Sequence, residues 1–252
     1  TRTKMNEEEI IKILDEEGLD KEAIEGKDII LNGRFIGTVK DNSEFAKKLR
    51  EKRREGGLPE QMSIRDDQGF ETGRFSSEAG RVLRPLIIVD NGIPRINNNH
   101  LIQIQQGNLN WEDLIQKGLI EYIDASEEEN ALVALFEEEL TQEHTHLEID
   151  PISLFGAITS LVPYGNHNQS SRLNRGSKTQ KQALGLYAAN YLCRLDTDVS
   201  ILQYPQKPIV RSFVYDALDT YPAGQNLIVA IMTYEGYNME DALVLNKGSL
   251  DR

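Results

Sequence analysis

The acidic excess of this chain ends at Asp150. Residues 1–150 hold 19 Lys and Arg against 33 Asp and Glu, a net −14, whereas residues 151–252 hold 9 against 8, a net +1. Between Asp150 and Asp196 there is no carboxylate, yet Arg172, Arg175, Lys178, Lys181 and Arg194 fall in that window. In a chain of net charge −13 this is a local electropositive strip. The average alone argues against a simple nucleic-acid binder, for which a basic domain is the usual footprint. With 252 residues, 39% of them hydrophobic, the chain can bury one sizeable core or two smaller ones.

Several chemistries are excluded at once. Cys193 is the only cysteine, so neither an internal disulfide nor a CxxC zinc site can form, and His144 and His146 are too few to replace one. There is no GxSxG elbow, P-loop or dinucleotide glycine fingerprint, and no internal repeat. No apolar run approaches the roughly 18–20 residues that span a bilayer, and the N-terminus lacks a signal-type apolar stretch. An intracellular protein is expected, with no membrane partner.

Residues 6–17 place Ile10, Ile11 and Leu14 at helical spacing before Gly18. KDIILNGRFIGTV predicts a hairpin about Asn32-Gly33. Ser43 is read as the cap of a helix carrying Phe45 and Leu49 and ending at Gly56-Gly57. Its basic run, Lys52 to Arg54, could contact phosphate, but the interspersed Glu44, Glu51 and Glu55 favour an exposed helix face. RVLRPLIIVDNG and IPRINNNHLIQIQ read as strands about Asn91-Gly92. WEDLIQKGLIEYID reads as a helix leading into a strand, anchored by Trp111, Leu114, Ile115 and Leu119. Glu127 to Glu129 and Glu137 to Glu139 are expected on a solvated face. Asp150-Pro151 opens a helix, residues 163–180 read as a polar loop, and KQALGLYAANYL as a helix. NLIVAIMTYEGYNMEDALVLNK contains two apolar β-type runs joined by a short polar segment.

Two constellations could carry chemistry. Arg172, Arg175, Lys178 and Lys181, with Asn168, Gln169 and Gln182 as neutral partners, suit contact with several phosphates, or else decorate a surface loop. Glu240 and Asp241 are adjacent carboxylates of the kind that hold Mg²⁺ together with substrate phosphates. Neighbours on an extended strand point to opposite faces, so these two can share an ion only if the backbone turns there; otherwise they sit on a solvated turn. The histidines read as hydrogen-bonded or surface residues.

At these constellations the chain resembles the second-largest subunit of multisubunit RNA polymerases of the archaeal and eukaryotic branch. The matching stretches run in order: EAGRVLRPLIIV (78–89), LIQKGLIEYIDASEEEN (114–130), HNQSSR (167–172), KQALGLYAANY (181–191), YPQKPIVR (204–211), PAGQNLIVAI (222–231) and GYNMEDALVLNKGS (236–249). Ser171 stands where the family commonly has proline, and 174–180 diverge. The resemblance implies DNA-templated nucleotidyl transfer as part of a complex. Glu240 and Asp241 would be associated with a second, nucleotide-borne Mg²⁺, and Arg172 with the incoming triphosphate and the fork region. Lys181 and Gln182, with Gln169, would contact nucleic acid or nucleotide. Phosphoryl transfer needs positioning and charge neutralisation more than covalent work, which suits such residues.

The implied fold class is α+β: a peripheral mixed domain followed by an active-centre region with a partial double-psi β-barrel. Residues 1–110 would be an outward-facing external region, 111–160 a connector to the core, and 161–252 the fork and hybrid-binding region. The implied partners are the largest and other polymerase subunits, template DNA, transcript RNA and nucleoside triphosphate. Mg²⁺ would be shared with the largest subunit, which holds the principal ion, and this stretch would carry no zinc. The chain stops before the rest of the barrel, so inactivity in isolation is expected, as is dependence on complementary sequence for folding. The compartment would be cytoplasmic in an archaeon and nuclear in a eukaryote. The alternative is a non-catalytic acidic module docking other subunits or transcription factors.

Overall fold

Asn6 starts the first helix of the computed structural model, where the Glu9 carboxylate accepts from the Asn6 N–H at 3.0 Å. The structure describes residues 5–23, 25–67, 72–182, 190–198, 202–219 and 221–251. They form two compact units, Thr1–Pro151 and Ile152–Arg252.

In the first unit, α1 (Glu7–Glu16) buries Ile10 and Leu14, one helical turn apart. β1 (Lys27–Leu31) and β2 (Arg34–Val39) form the expected hairpin. Asn32 and Gly33 both take positive φ, 49° and 80°, as a type I′ turn requires. α2 (Asn42–Arg54) follows, then β3 (Ser63–Asp67) and β4 (Thr72–Ser76). The strand order is β2-β1-β4-β3, with β1 and β4 parallel. Ile10 and Leu14 of α1 and Phe45 and Leu49 of α2 join Ile29, Leu31, Ile64 and Phe75 of the sheet in one core. The cap of α2 is Asp41 and not Ser43. The Asp41 carboxylate accepts from the N–H groups of Ser43 and Glu44 at 2.9 and 3.2 Å, while the Ser43 hydroxyl donates to Asp66. A cap side chain reaches the N–H groups two and three residues on, and Asp41 has the extended backbone for it.

The second sheet is built around β5 (Leu83–Asp90). β6 (Ile93–Pro94) closes a short hairpin in which Asn91 and Gly92 again have positive φ. The strand expected beyond it is absent: Asn98–Gln105 is a helix, α3. Asn97 accepts from the His100 N–H, and the His100 ring accepts from the Asn97 N–H, so side chains close its first turn. α4 (Trp111–Gln116) leads into β7 (Ile120–Asp124), as expected. Leu114, Ile115 and Leu119 are buried, but Trp111 lies at the surface and donates to the Tyr122 hydroxyl. α5 (Ala125–Glu128), β8 (Val133–Ala134) and β9 (His146–Leu147) complete the sheet region, in the order β6-β5-β9-β8 with β7 also on β5.

Arg53 joins the two sheets. It is 3% exposed, and its guanidinium donates to Glu127 at 2.7 and 2.8 Å and to Glu121 at 2.7 Å. Arg54 donates to the other oxygen of Glu121 at 2.6 Å, and the ring of His146 meets that oxygen at 2.8 Å. The exposed-face reading of the 52–54 run is therefore corrected, as is that of Glu127, which is 4% exposed. Charge alternation marks a solvated helix only where no counter-charge packs on it, and here the counter-charges come from 68 and 74 residues away. Glu128 and Glu129 pair with Arg84 and Arg65, whereas Glu137 to Glu139 are exposed. Burial raises the Glu121 carboxyl, but the His146 hydrogen bond and the charges of Arg53 and Arg54 outweigh it and hold the group well below its usual range. Burial likewise disfavours the Arg53 charge, and Glu127 and Glu121 reverse that, raising its pKa.

In the second unit the reading of 163–180 as a loop is overturned: α6 runs Ser170–Gln182. Only Leu173 of this helix is buried, so it shows almost no apolar period. The hydroxyls of Ser177 and Thr179 return to carbonyls one turn back. The 183–189 part of the expected KQALGLYAANYL helix lies outside the described residues. The helix expected after Asp150 is replaced by 3₁₀ turns at Pro151–Leu154 and Thr159–Leu161. α7 (Phe213–Leu218) and α8 (Lys247–Leu250) are short. Among the described residues of this unit there is no strand, and Ile228 and Ile231 of the apolar runs are fully exposed. Strands need partner edges, and none faces these runs here. The chain is α+β as expected.

Arg53→Met should destabilise the chain by about 3–5 kcal/mol in chemical denaturation, because Glu121 and Glu127 would be left buried without their main counter-charge. The depressed Glu121 carboxyl contributes to the acid behaviour. Its stabilisation is complete above the ordinary glutamate value of about 4.3 and is lost as pH falls through the lower folded value. Melting temperature should accordingly fall below about pH 4, and the fall should be shallower in Glu121→Gln.

Candidate nucleic-acid interface

α6 is held by one face. Leu173 packs beneath Gly165, where an added Cβ would lie 3.4 Å from the Leu173 side chain. Ser177 bonds to Thr159 at 2.8 Å. At 100° per residue, Arg172, Arg175, Lys178 and Lys181 sweep the half of the helix centred opposite Leu173. All four are exposed, and among the described residues none is in an ion pair. From Arg172 to Lys181 they span about 14 Å of helix axis. Gln169 precedes the helix and its carbonyl accepts from the N–H groups of Arg172 and Leu173 at 3.0 Å; Gln182 ends it. Three of the predicted residues, Arg172, Lys181 and Gln182, are thus carried by a single element, and Gln169 immediately precedes it.

The segments 203–212 and 224–226 are knitted by side-chain amides. Asn226 accepts from the Ile209 N–H at 3.0 Å and donates to the Lys207 carbonyl at 2.9 Å, and its own N–H donates to Gln206. Gln225 donates to the Gln203 carbonyl at 2.7 Å. Ser212 caps α7 and donates to the Ser160 carbonyl at 2.7 Å, tying this segment to the 3₁₀ turn against which α6 packs. These amides were not singled out in the sequence. Their signal is the density of Gln and Asn beside proline, which suits local turn bonding.

Glu240 and Asp241 lie in a turn. Both have left-handed backbone, φ 56° and 64°, so the chain does bend at the pair instead of alternating its side chains as a strand would. Both are exposed, and neither carboxylate has an ion pair or hydrogen bond among the described residues. No hydrogen bond or ion pair between described residues joins this turn to α6. Among the described residues no three His, Cys, Asp or Glu gather as a metal shell. Two hard oxygen donors are nevertheless a set that Mg²⁺ accepts when phosphates and water supply the rest, so the pair fits such an ion.

The histidines play other parts: His144 bonds to Thr141, His100 to Asn97 and His146 to Glu121, while His167 stacks edge-on against Tyr164. No helix among the described residues is long and apolar enough to cross a membrane.

Comparison with known proteins covers both units. Family models described as RNA polymerase Rpb2 domains 4, 5 and 6 match residues 29–90, 111–151 and 158–252 in that order. The chain is 44% identical over 251 residues to the DNA-directed RNA polymerase subunit Rpo2 of Sulfolobus acidocaldarius, covering 97% of this chain and 22% of that one. It is 39% identical over 261 residues to the DNA-directed RNA polymerase III subunit RPC2 of Schizosaccharomyces pombe, covering 99% and 22%. Against RPC2 of Saccharomyces cerevisiae the identity is 40% over 226 residues, covering 89% and 20%. The chain spans about a fifth of the length of these relatives.

Proposed function

Since the chain belongs to the family of second-largest subunits of multisubunit DNA-directed RNA polymerases, we propose that it contributes to DNA-templated RNA synthesis by holding nucleic acid and the incoming nucleoside triphosphate. The observation that carries this reading is the row of exposed cations on α6, unpaired among the described residues and set opposite Leu173 in a stretch free of acid. Such a row suits the sugar–phosphate backbone, and its sequence-independent grip is what a polymerase needs of residues that must accept every template.

In this proposal Arg172 and Lys181 engage phosphate oxygens, and Gln169 and Gln182 supply neutral hydrogen bonds beside them. Glu240 and Asp241 supply oxygens to a second Mg²⁺ that arrives with the nucleotide, the principal ion belonging to the largest subunit. When bound there, Mg²⁺ neutralises charge on the phosphate oxygens. The partners are the other polymerase subunits, template DNA, transcript RNA and nucleotide, in the cytoplasm of an archaeon or the nucleus of a eukaryote. The exposed apolar runs about Ile228 and Leu243 are strands of a double-psi β-barrel once paired within the assembled subunit, since apolar faces this open require a cover. Residues 1–110, 111–160 and 161–252 then serve as external region, connector and hybrid-binding region.

In reassembled polymerase, Arg172→Ala, and separately Glu240→Gln with Asp241→Asn, should lower elongation at limiting nucleotide roughly 10- to 100-fold, the value of a charged contact. Undiminished elongation would overturn the assigned roles. Binding of the chain to an RNA–DNA hybrid should weaken with salt, and removing Arg175 or Lys178 should reduce the salt slope by about 1 each. Salt-insensitive or absent binding would instead favour an interaction module.

A further inference from the structure

We propose that Asn238 is a positioning residue that sets the backbone presenting Glu240 and Asp241. The inference rests on the reading of those carboxylates as the metal-facing pair and adds what holds them in place.

Between residues 224 and 251 every residue is exposed except Asn238. Its side chain is turned onto its own backbone: Oδ1 accepts from the Tyr234 N–H at 2.9 Å, and Nδ2 donates to the Met232 carbonyl at 2.6 Å. Those two bonds bracket a tight bend in which Glu235 and Gly236 have φ of 50° and 80° and the Tyr237 N–H donates to the Tyr234 carbonyl at 2.9 Å. Met239 donates back to Gly236, Ala242 donates back to Met239, and between them stand the left-handed Glu240 and Asp241. Left-handed backbone is disfavoured for residues with a Cβ and persists where surroundings over-determine it. Three such residues, Glu235, Glu240 and Asp241, fall within seven positions. Among the described residues, the only side-chain hydrogen bonds across 232–242 are the two from Asn238.

The chemistry explains the residue type. The bend needs one acceptor and one donor on a side chain short enough to fold back four and six residues, which a primary amide on one methylene provides. Aspartate keeps the acceptor but sets a carboxylate against the Met232 carbonyl. Alanine removes both bonds and frees the turn to relax toward extended backbone, where neighbouring carboxylates diverge.

Asn238→Ala and Asn238→Asp in reassembled polymerase test this, beside Glu240→Gln/Asp241→Asn. The first readout is hydrogen exchange of the Tyr234 amide, independent of catalysis: it should be roughly 2- to 10-fold faster in Asn238→Ala, the loss of one net hydrogen bond, and intermediate in Asn238→Asp. The second is a Mg²⁺ titration of elongation. Asn238→Ala should raise the Mg²⁺ concentration for half-maximal rate by a similar roughly 2- to 10-fold, and the deficit should narrow as Mg²⁺ rises. Combined with Glu240→Gln/Asp241→Asn it should add nothing further, because the residues act as one unit. A rate lowered equally at every Mg²⁺ concentration, an unchanged half-point, or additive losses would overturn the positioning role. If Glu240→Gln/Asp241→Asn itself leaves the Mg²⁺ dependence unmoved, the metal-facing reading fails, whatever Asn238 does.

Discussion

The first unit depends on a single buried guanidinium. Arg53 stands where α2, the last strand of one sheet and the α5 corner of the other converge, and it meets two carboxylates and the Met62 carbonyl at once. Burying it alone would be prohibitive, and so would burying Glu121 or Glu127. Each is tolerated because the others are present and because His146, Arg54 and the Ile64 N–H take up the remaining lone pairs. Around this centre lie further pairs of the same kind. Ser63 and Arg81 meet on Asp124, and Arg84 bridges Glu128 and Glu148. Two matched family regions, 29–90 and 111–151, are thereby bonded into one body by ionic contacts between side chains far apart in sequence.

The two units follow different physical strategies. The first spends its acid internally, and many of its carboxylates neutralise buried or half-buried arginines. The second has few acids, leaves its helix cations unneutralised among the described residues, and leaves apolar side chains such as Ile228 and Ile231 exposed. The contrast also explains why net charge misleads: the −13 belongs to residues 1–150, whose net is −14, and says nothing of the second unit's cations.

Turn dipeptides and apolar stripes were legible in the sequence, whereas long-range ion pairs and helices without an apolar period were not. Asn32-Gly33 and Asn91-Gly92 announce their turns because positive φ is a property of the dipeptide. The α1 stripe and the α4–β7 passage were legible from spacing alone. Arg53 was not, since its partners lie in another matched region and a basic run beside glutamates looks the same whether it is solvated or buried. α6 was missed because a helix anchored by Leu173 alone has no period to detect. α3 was misread because its isoleucines suit a strand, whereas the Asn97–His100 exchange of bonds sets the local conformation. At the candidate site the carboxylates and cations could be picked out by type, but the left-handed backbone at Glu240 and Asp241 and the part played by Asn238 needed coordinates.

Asn130 has a consequence for how the chain is made. Its side chain accepts from the Asp66 N–H and donates to the Asp66 carbonyl, occupying the outer edge of β3 from 64 positions downstream. During synthesis the first sheet is complete well before that asparagine emerges, so for the time needed to add those residues the strand presents bare peptide groups to any extended segment nearby. The interval between Ser76, where the sheet's last strand ends, and Asn130 is therefore a window in which the β3 edge of a nascent chain is open to mispairing.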